Sequence, residues 1–220
     1  MKKLLLIVLY LALCAVYFMH APFHYRVALP AFMLCLTAPI TTIIHNEEIR
    51  MLPWPMAFAF FFSGMGDCMG ADRNLILQIA FFGVAHIFII CYNIHVLRTK
   101  GLKLFRAQMW PAYLFIALVL VLAMTIIFPN VETPVLKVCV MAYIALISTM
   151  AVSAASVSWA CRVAWPFVGG VLFLISDFTL AGGRFLGGFF LPSSLVMPTY
   201  YGALLSLWLG TSDDKLEMVR

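Results

Sequence analysis

Residues 60–70 read FFFSGMGDCMG, and after a four-residue break residues 75–93 read LILQIAFFGVAHIFIICYN. The second stretch has no lysine, arginine, aspartate or glutamate, and as a helix it nearly crosses the ~30 Å hydrocarbon core of a bilayer. The first carries a carboxylate near its end, Asp67, with glycine on its N-terminal side and no adjacent cation. What solvates that carboxylate depends on the rest of the chain. Of 220 residues 65% are apolar and only 10% charged, and the mean hydropathy is +1.04. A soluble domain has about a quarter of its residues charged. This chain falls far short, so its surface faces lipid. The net charge of +5 then reflects the lysine and arginine bias of membrane loops and is no sign of a nucleic-acid partner. The fold class is all-α: a polytopic integral membrane protein, residues 1–220 forming a single transmembrane domain.

Eight apolar segments are expected to span, at about 3–19, 27–45, 53–70, 75–97, 109–128, 134–156, 162–181 and 194–210. Lys2 and Lys3 before a leucine run could suggest a signal peptide, but no Ala-x-Ala site follows, and the first span is expected to be retained. An even span count puts both termini on one side. With the N-terminus in the cytoplasm the inner segments hold Lys2, Lys3, Arg50, Arg98, Lys100, Lys103, Arg106, Arg162, Lys215 and Arg220. The outer loops hold only Arg26, Arg73, Lys137 and Arg184. That asymmetry obeys the positive-inside rule, so a multi-pass protein of the cell (inner) membrane with cytoplasmic termini is expected. The six cysteines lie singly in or beside apolar segments and read as buried filler.

An ionisable group well inside a span costs on the order of 2.5–3.5 kcal/mol on insertion scales. Asp67, His86 and Asp177 carry that cost. At 1.5 Å per residue Asp67 lies about 20 Å from the inner end of span three. Asp177 lies about 18 Å beyond Trp165 in span seven, and His86 about 14 Å above the inner boundary. Three groups from three helices thus reach similar depths and are expected to share a cavity. Ser63 lies one turn before Asp67, and Ser176 immediately precedes Asp177. Gly66 and Gly70 form a small-xxx-small pair for close helix contact. Asn93 shares a face with His86, and Tyr143, Tyr200 and Tyr201 enter from the outer ends of spans six and eight; with Ser63 and Ser176 these are the expected substrate-binding residues. Each has a plainer reading: packing hydrogen bonds for the aspartates, a core histidine, interhelical glue for Asn93, interfacial belt residues for Tyr200 and Tyr201.

The chain has no nucleophile elbow, zincin helix, P-loop or dinucleotide fingerprint. His20 and His24 are four apart, but Pro22 and a loop position argue against a metal site. What remains is carboxylates without a metal. Two in one low-dielectric site are pushed toward opposite protonation states, the equipment of general acid–base hydrolysis. No cofactor is called for.

Phe62-Ser-Gly-Met-Gly-Asp67 resembles the Gly-Asp motif of the YhhN family of lysoplasmalogenase-like membrane proteins. Gly83 and His86, with Tyr92, resemble its histidine region, and residues 143–151 (YIALISTMA) its tyrosine-to-methionine helix. Gly169-Gly-Val-Leu-Phe-Leu-Ile-Ser-Asp177 resembles its Ser-Asp segment most closely. The motifs run in family order over about residues 50–210. One departure is Gly202-Ala-Leu-Leu after Tyr201, where the family usually has Ala-Gln. The resemblance implies eight helices and cleavage of the vinyl-ether bond of a lysophospholipid substrate to fatty aldehyde and glycerophospho-headgroup. Asp67 and Asp177 would be acid and base, His86 a relay, and Arg73 and Arg184 candidates for the phosphate. A small proton-coupled lipid or solute transporter, or a non-catalytic lipid-binding protein of the same fold, remains the alternative. Substrate and membrane lipids are the expected partners; nothing sets an oligomeric state.

Overall fold

The structure, a computed structural model, describes residues 2–45, 54–105, 107–187, 192–211 and 213. Regular structure among them is helical throughout: α1 (Lys2–Phe18), α2 (Leu29–His45), α3 (Trp54–Ala71), α4 (Leu75–Thr99), α5 (Trp110–Leu122), α6 (Pro134–Cys161), α7 (Trp165–Phe185) and α8 (Val196–Thr211). Each answers to one expected segment. Four stretches are long and apolar enough to cross a membrane: α4, α6, α7, and residues Ala107–Asn130, which contain α5. The lipid-facing character of α5 is plain: it buries only Ile116, while Leu114, Leu118 and Val121 are more than half exposed. In water such a surface would be an aggregation site.

The chain divides into two compact units, Met1–Tyr92 and Asn93–Arg220, the boundary falling within α4. In the first, α2 packs on α1 and on α3. Helices α3 and α4 are joined by a short turn and meet through side chains; the corner is set by backbone bonds. Asn74 N–H donates to Met69 C=O (2.8 Å) and Arg73 N–H to Gly70 C=O (3.0 Å), with Arg73 left-handed at φ 60°. That is a Schellman stop, usually given to glycine. Asn74 Oδ1 then accepts from Leu77 N–H (3.2 Å) and caps the start of α4. The hairpin seam joins glycines to long side chains. A Cβ built on Gly66 would lie 3.0 Å from the Phe82 ring, and one on Gly70 would lie 2.7 Å from the Gln78 amide. The small-xxx-small pair therefore faces α4. Phe62 stacks with Phe81 and Phe88 along the same hairpin, at centroid distances of 6.2 and 5.6 Å.

At the corner of this unit the segment between α1 and α2 reaches the α3–α4 turn. His24 Nε2 lies 2.9 Å from Asp72 Oδ1, and the Tyr25 hydroxyl donates to the same carboxylate at 3.3 Å. The Asp72 charge, with smaller help from desolvation, raises the Tyr25 hydroxyl above its ordinary pKa. A raised folded-state value means the tyrosine contact is present below the ordinary tyrosine range and is lost as pH rises through the shifted value. His20 is the left-handed stop of α1 (φ 52°).

In the second unit α7 is central, packing on α6 and α8. Its adjacent glycines serve opposite sides. A Cβ on Gly169 would lie 2.8 Å from Leu207 Cγ and 3.1 Å from the Ala203 carbonyl in α8; one on Gly170 would lie 3.3 Å from Ala154 Cβ in α6. Small residues replace the hydrophobic drive that lipid removes, letting helix backbones approach. Ser158 Oγ accepts from Phe167 N–H (2.7 Å), so the end of α6 caps an open amide at the start of α7.

Several expected boundaries move. Helix α6 runs to Cys161, past the expected 156, because Ser153 and Ser156 return their hydroxyls to helix carbonyls and cost the span little. Helix α7 starts at Trp165 and not at 162, because Arg162 is the left-handed cap of α6 (φ 55°). Helix α7 also extends to Phe185, so Arg184 lies in its last turn and not in a loop. All six cysteines are free, but only Cys14 is buried and Cys91 is exposed, since on a lipid-facing helix an apolar side chain need not be inside. Pro53, Arg50, Arg106, Lys215 and Arg220 fall outside the described residues.

Candidate functional site

The first unit holds Asp67, Ser63 and His86. Asp67 is buried in the last two turns of α3, in an otherwise apolar helix. His86 is fully enclosed at 0% exposure. The seam fixes their relation along the helix axes. Gly70 faces Gln78 and Gly66 faces Phe82, so the next step of four places His86 level with Phe62 and Ser63. His86 is thus about one turn further from the hairpin corner than Asp67, close to the offset that residue counting predicts. Ser63 Oγ, at 1% exposure, is buried without a hydrogen-bond partner. Such an atom costs about 1–3 kcal/mol and is a place where a bound polar group repays its desolvation.

The second unit holds Asp177. Its Oδ2 accepts a short hydrogen bond, 2.5 Å, from the Tyr143 hydroxyl of α6. Sequence reasoning placed Tyr143 among substrate contacts; the structure shows it gripping the carboxylate. Tyr143 lies nine residues inside Pro134 and Asp177 eight inside Phe185, about 13 and 12 Å along their helices. Counting from the expected end of span seven at 181 would put Asp177 only about 6 Å inside, so the equality needs the extra turn that α7 has in the structure. Ser176, also buried, donates to Val196 C=O (3.0 Å) and ties α7 to the first turn of α8. It orients the helix pair.

Tyr200 and Tyr201 are buried, at 3% and 4% exposure, and are not belt residues. Tyr200 meets the Phe173 ring edge-on at 5.6 Å, within the α7–α8 contact. Asn93 gives its Nδ2 to Ser153 Oγ (3.0 Å), which donates onward to Met150 C=O (2.8 Å). This is interhelical glue. Arg73 and Arg184 are exposed at the ends of α3 and α7.

A helical membrane protein with carboxylates sunk in two of its helices is the class these features define. The model of the YhhN family matches residues 25–211, and the chain belongs to that family. Neither a curated relative nor a solved structure matches it.

Proposed function

We propose that this protein is an intramembrane hydrolase that cleaves the vinyl-ether bond of a lysoplasmalogen-type lysophospholipid. The observation that carries the reading is the Tyr143–Asp177 pair: a carboxylate kept in an apolar helix and gripped at 2.5 Å. Intramembrane acids are rare and mark chemistry or transport. Family membership and the buried Asp67 support it.

The reaction needs an acid and a base. One carboxylic acid protonates the vinyl carbon remote from the ether oxygen, giving an oxocarbenium ion. Water adds to the cationic carbon and gives its proton to the other carboxylate. The hemiacetal then collapses: the carbon–oxygen bond to glycerol breaks, the hydroxyl proton leaves, and the glycerol oxygen is reprotonated. The net change is addition of one water, yielding fatty aldehyde and glycerophospho-headgroup. Asp67 and Asp177 take the acid and base roles, His86 relays protons, and Ser63, Tyr200 and Tyr201 line the substrate path. Arg73 and Arg184 hold the phosphate, and Tyr143 fixes Asp177.

Purified protein in detergent is expected to release long-chain aldehyde from a lysoplasmalogen and to be unaffected by EDTA. The matching ester lysolipid should be spared, because its carbonyl needs a nucleophile and oxyanion donors. Ester cleavage at a comparable rate, or loss of activity with EDTA, would show the two-carboxylate mechanism to be wrong. No aldehyde at all would leave the transporter reading ahead.

The proposal includes eight spans with both termini in the cytoplasm. Alkaline phosphatase fused after Arg220 is expected to be inactive, and fused near Asn130 active. The reverse pattern would invert the helix directions used for the depth argument.

A further inference from the structure

Away from the carboxylates, the second unit has an open groove of about 590 Å³ where the start of α5 meets the end of α6 and the start of α7. We propose that it binds an anionic phospholipid, with one acyl chain in the groove and the headgroup phosphate at Arg162. The size falls within the ~300–1,000 Å³ usual for ligand sites. Met109, Ala112, Phe115, Ala155 and Phe167 supply an apolar floor, and Trp159 and Arg162 also line it.

The surroundings identify a lipid. Three tryptophans cluster at these helix ends and are strongly exposed: Trp110 at 64%, Trp159 at 53% and Trp165 at 42%. Exposed indoles at the ends of apolar helices mark the headgroup level of a bilayer. The groove therefore opens where acyl chains give way to headgroups. Charge selects among lipids. Arg162 stands exposed at the left-handed end of α6. The segment after α4, bearing Lys100 and Lys103, is pinned beside the groove: Leu104 C=O accepts from Ser156 Oγ (2.5 Å) and from the Tyr113 hydroxyl (3.4 Å). The Arg162 cation over an apolar floor complements a negatively charged two-chain lipid.

The test is native mass spectrometry of the purified full chain with dipalmitoyl phosphatidylglycerol or dipalmitoyl phosphatidylcholine. Wild-type protein is expected to retain phosphatidylglycerol preferentially. Arg162→Gly removes the cation while suiting the left-handed backbone, so the fold is kept; it should cut that retention roughly five-fold, the worth of one near-surface cation. Ala112→Phe fills the groove and should cut retention of both lipids. Lys137→Gln, at the opposite end of α6, should change neither. Equal retention of the two lipids by the wild type, or wild-type retention in both groove variants, would overturn the proposal. So would a dimer that Ala112→Phe splits, since the occupant would then be a second copy of the chain.

Discussion

Asp67→Asn and Asp177→Asn should each lower aldehyde release by about 10²–10⁴-fold, the worth of a positioned acid or base. Asparagine preserves shape and hydrogen-bonding capacity, so both variants are expected to insert and purify as the wild type does. Loss of the titrating proton is then the only large change. Wild-type rates in either variant would reduce that aspartate to helix packing. Tyr143→Phe should fall between: it keeps the ring but releases Asp177 Oδ2, and a carboxylate no longer gripped should lose turnover more than substrate affinity. His86→Gln should be milder than the aspartate variants, since water can replace part of a relay.

Gly169→Leu should damage folding more than any substitution on the lipid-facing surface. The new Cβ would meet Leu207 Cγ at 2.8 Å and, behind it, the Ala203 carbonyl at 3.1 Å. The Leu207 side chain can yield, but the Ala203 backbone cannot move without separating α7 from α8. Overpacking of this kind costs about 1–3 kcal/mol. It should lower the unfolding midpoint in detergent and the yield of monodisperse protein. Gly183→Leu, at the other end of the same helix and with open space around its Cβ position, is the control and should leave both nearly unchanged. Equal damage at the two positions would show that helix contact at Gly169 is not what matters.

Much of this was legible in the sequence because lipid imposes one strong rule: backbone polar groups must be satisfied within each segment. Apolar runs of suitable length therefore announced helices, including α3 and α8, whose starts are crowded with proline. Asp67, His86 and Asp177 stood out because charge is expensive there. Side-chain hydroxyls were the weak point. The expected span stops at 156, yet Ser153, Ser156 and Ser158 each find a partner within or beside α6, and the helix continues to Cys161. Tyr200 and Tyr201 read equally well as cavity or interfacial residues, because tyrosine suits both headgroups and helix contacts, and only their burial rules out the belt. Arg162 illustrates a third difficulty: a non-glycine residue in the left-handed region carries no mark in the sequence.

Past Leu122, the helix that begins at Trp110 widens into a π turn over Ala123–Ile127 before ending at Asn130. A π turn accommodates one residue more than the α-helix around it. Each residue of an α-helix turns the chain by about 100°, so that single surplus residue sets the azimuth of everything on one side relative to the other. Removing Met124 would let the turn close into regular α-helix, and residues 110–122 would swing by that angle. Ala112 and Phe115 would then leave the groove they line, although no residue there had changed. Which flank of α5 meets its neighbours is thus governed by a residue count, and a one-residue deletion would act on it as a rotation.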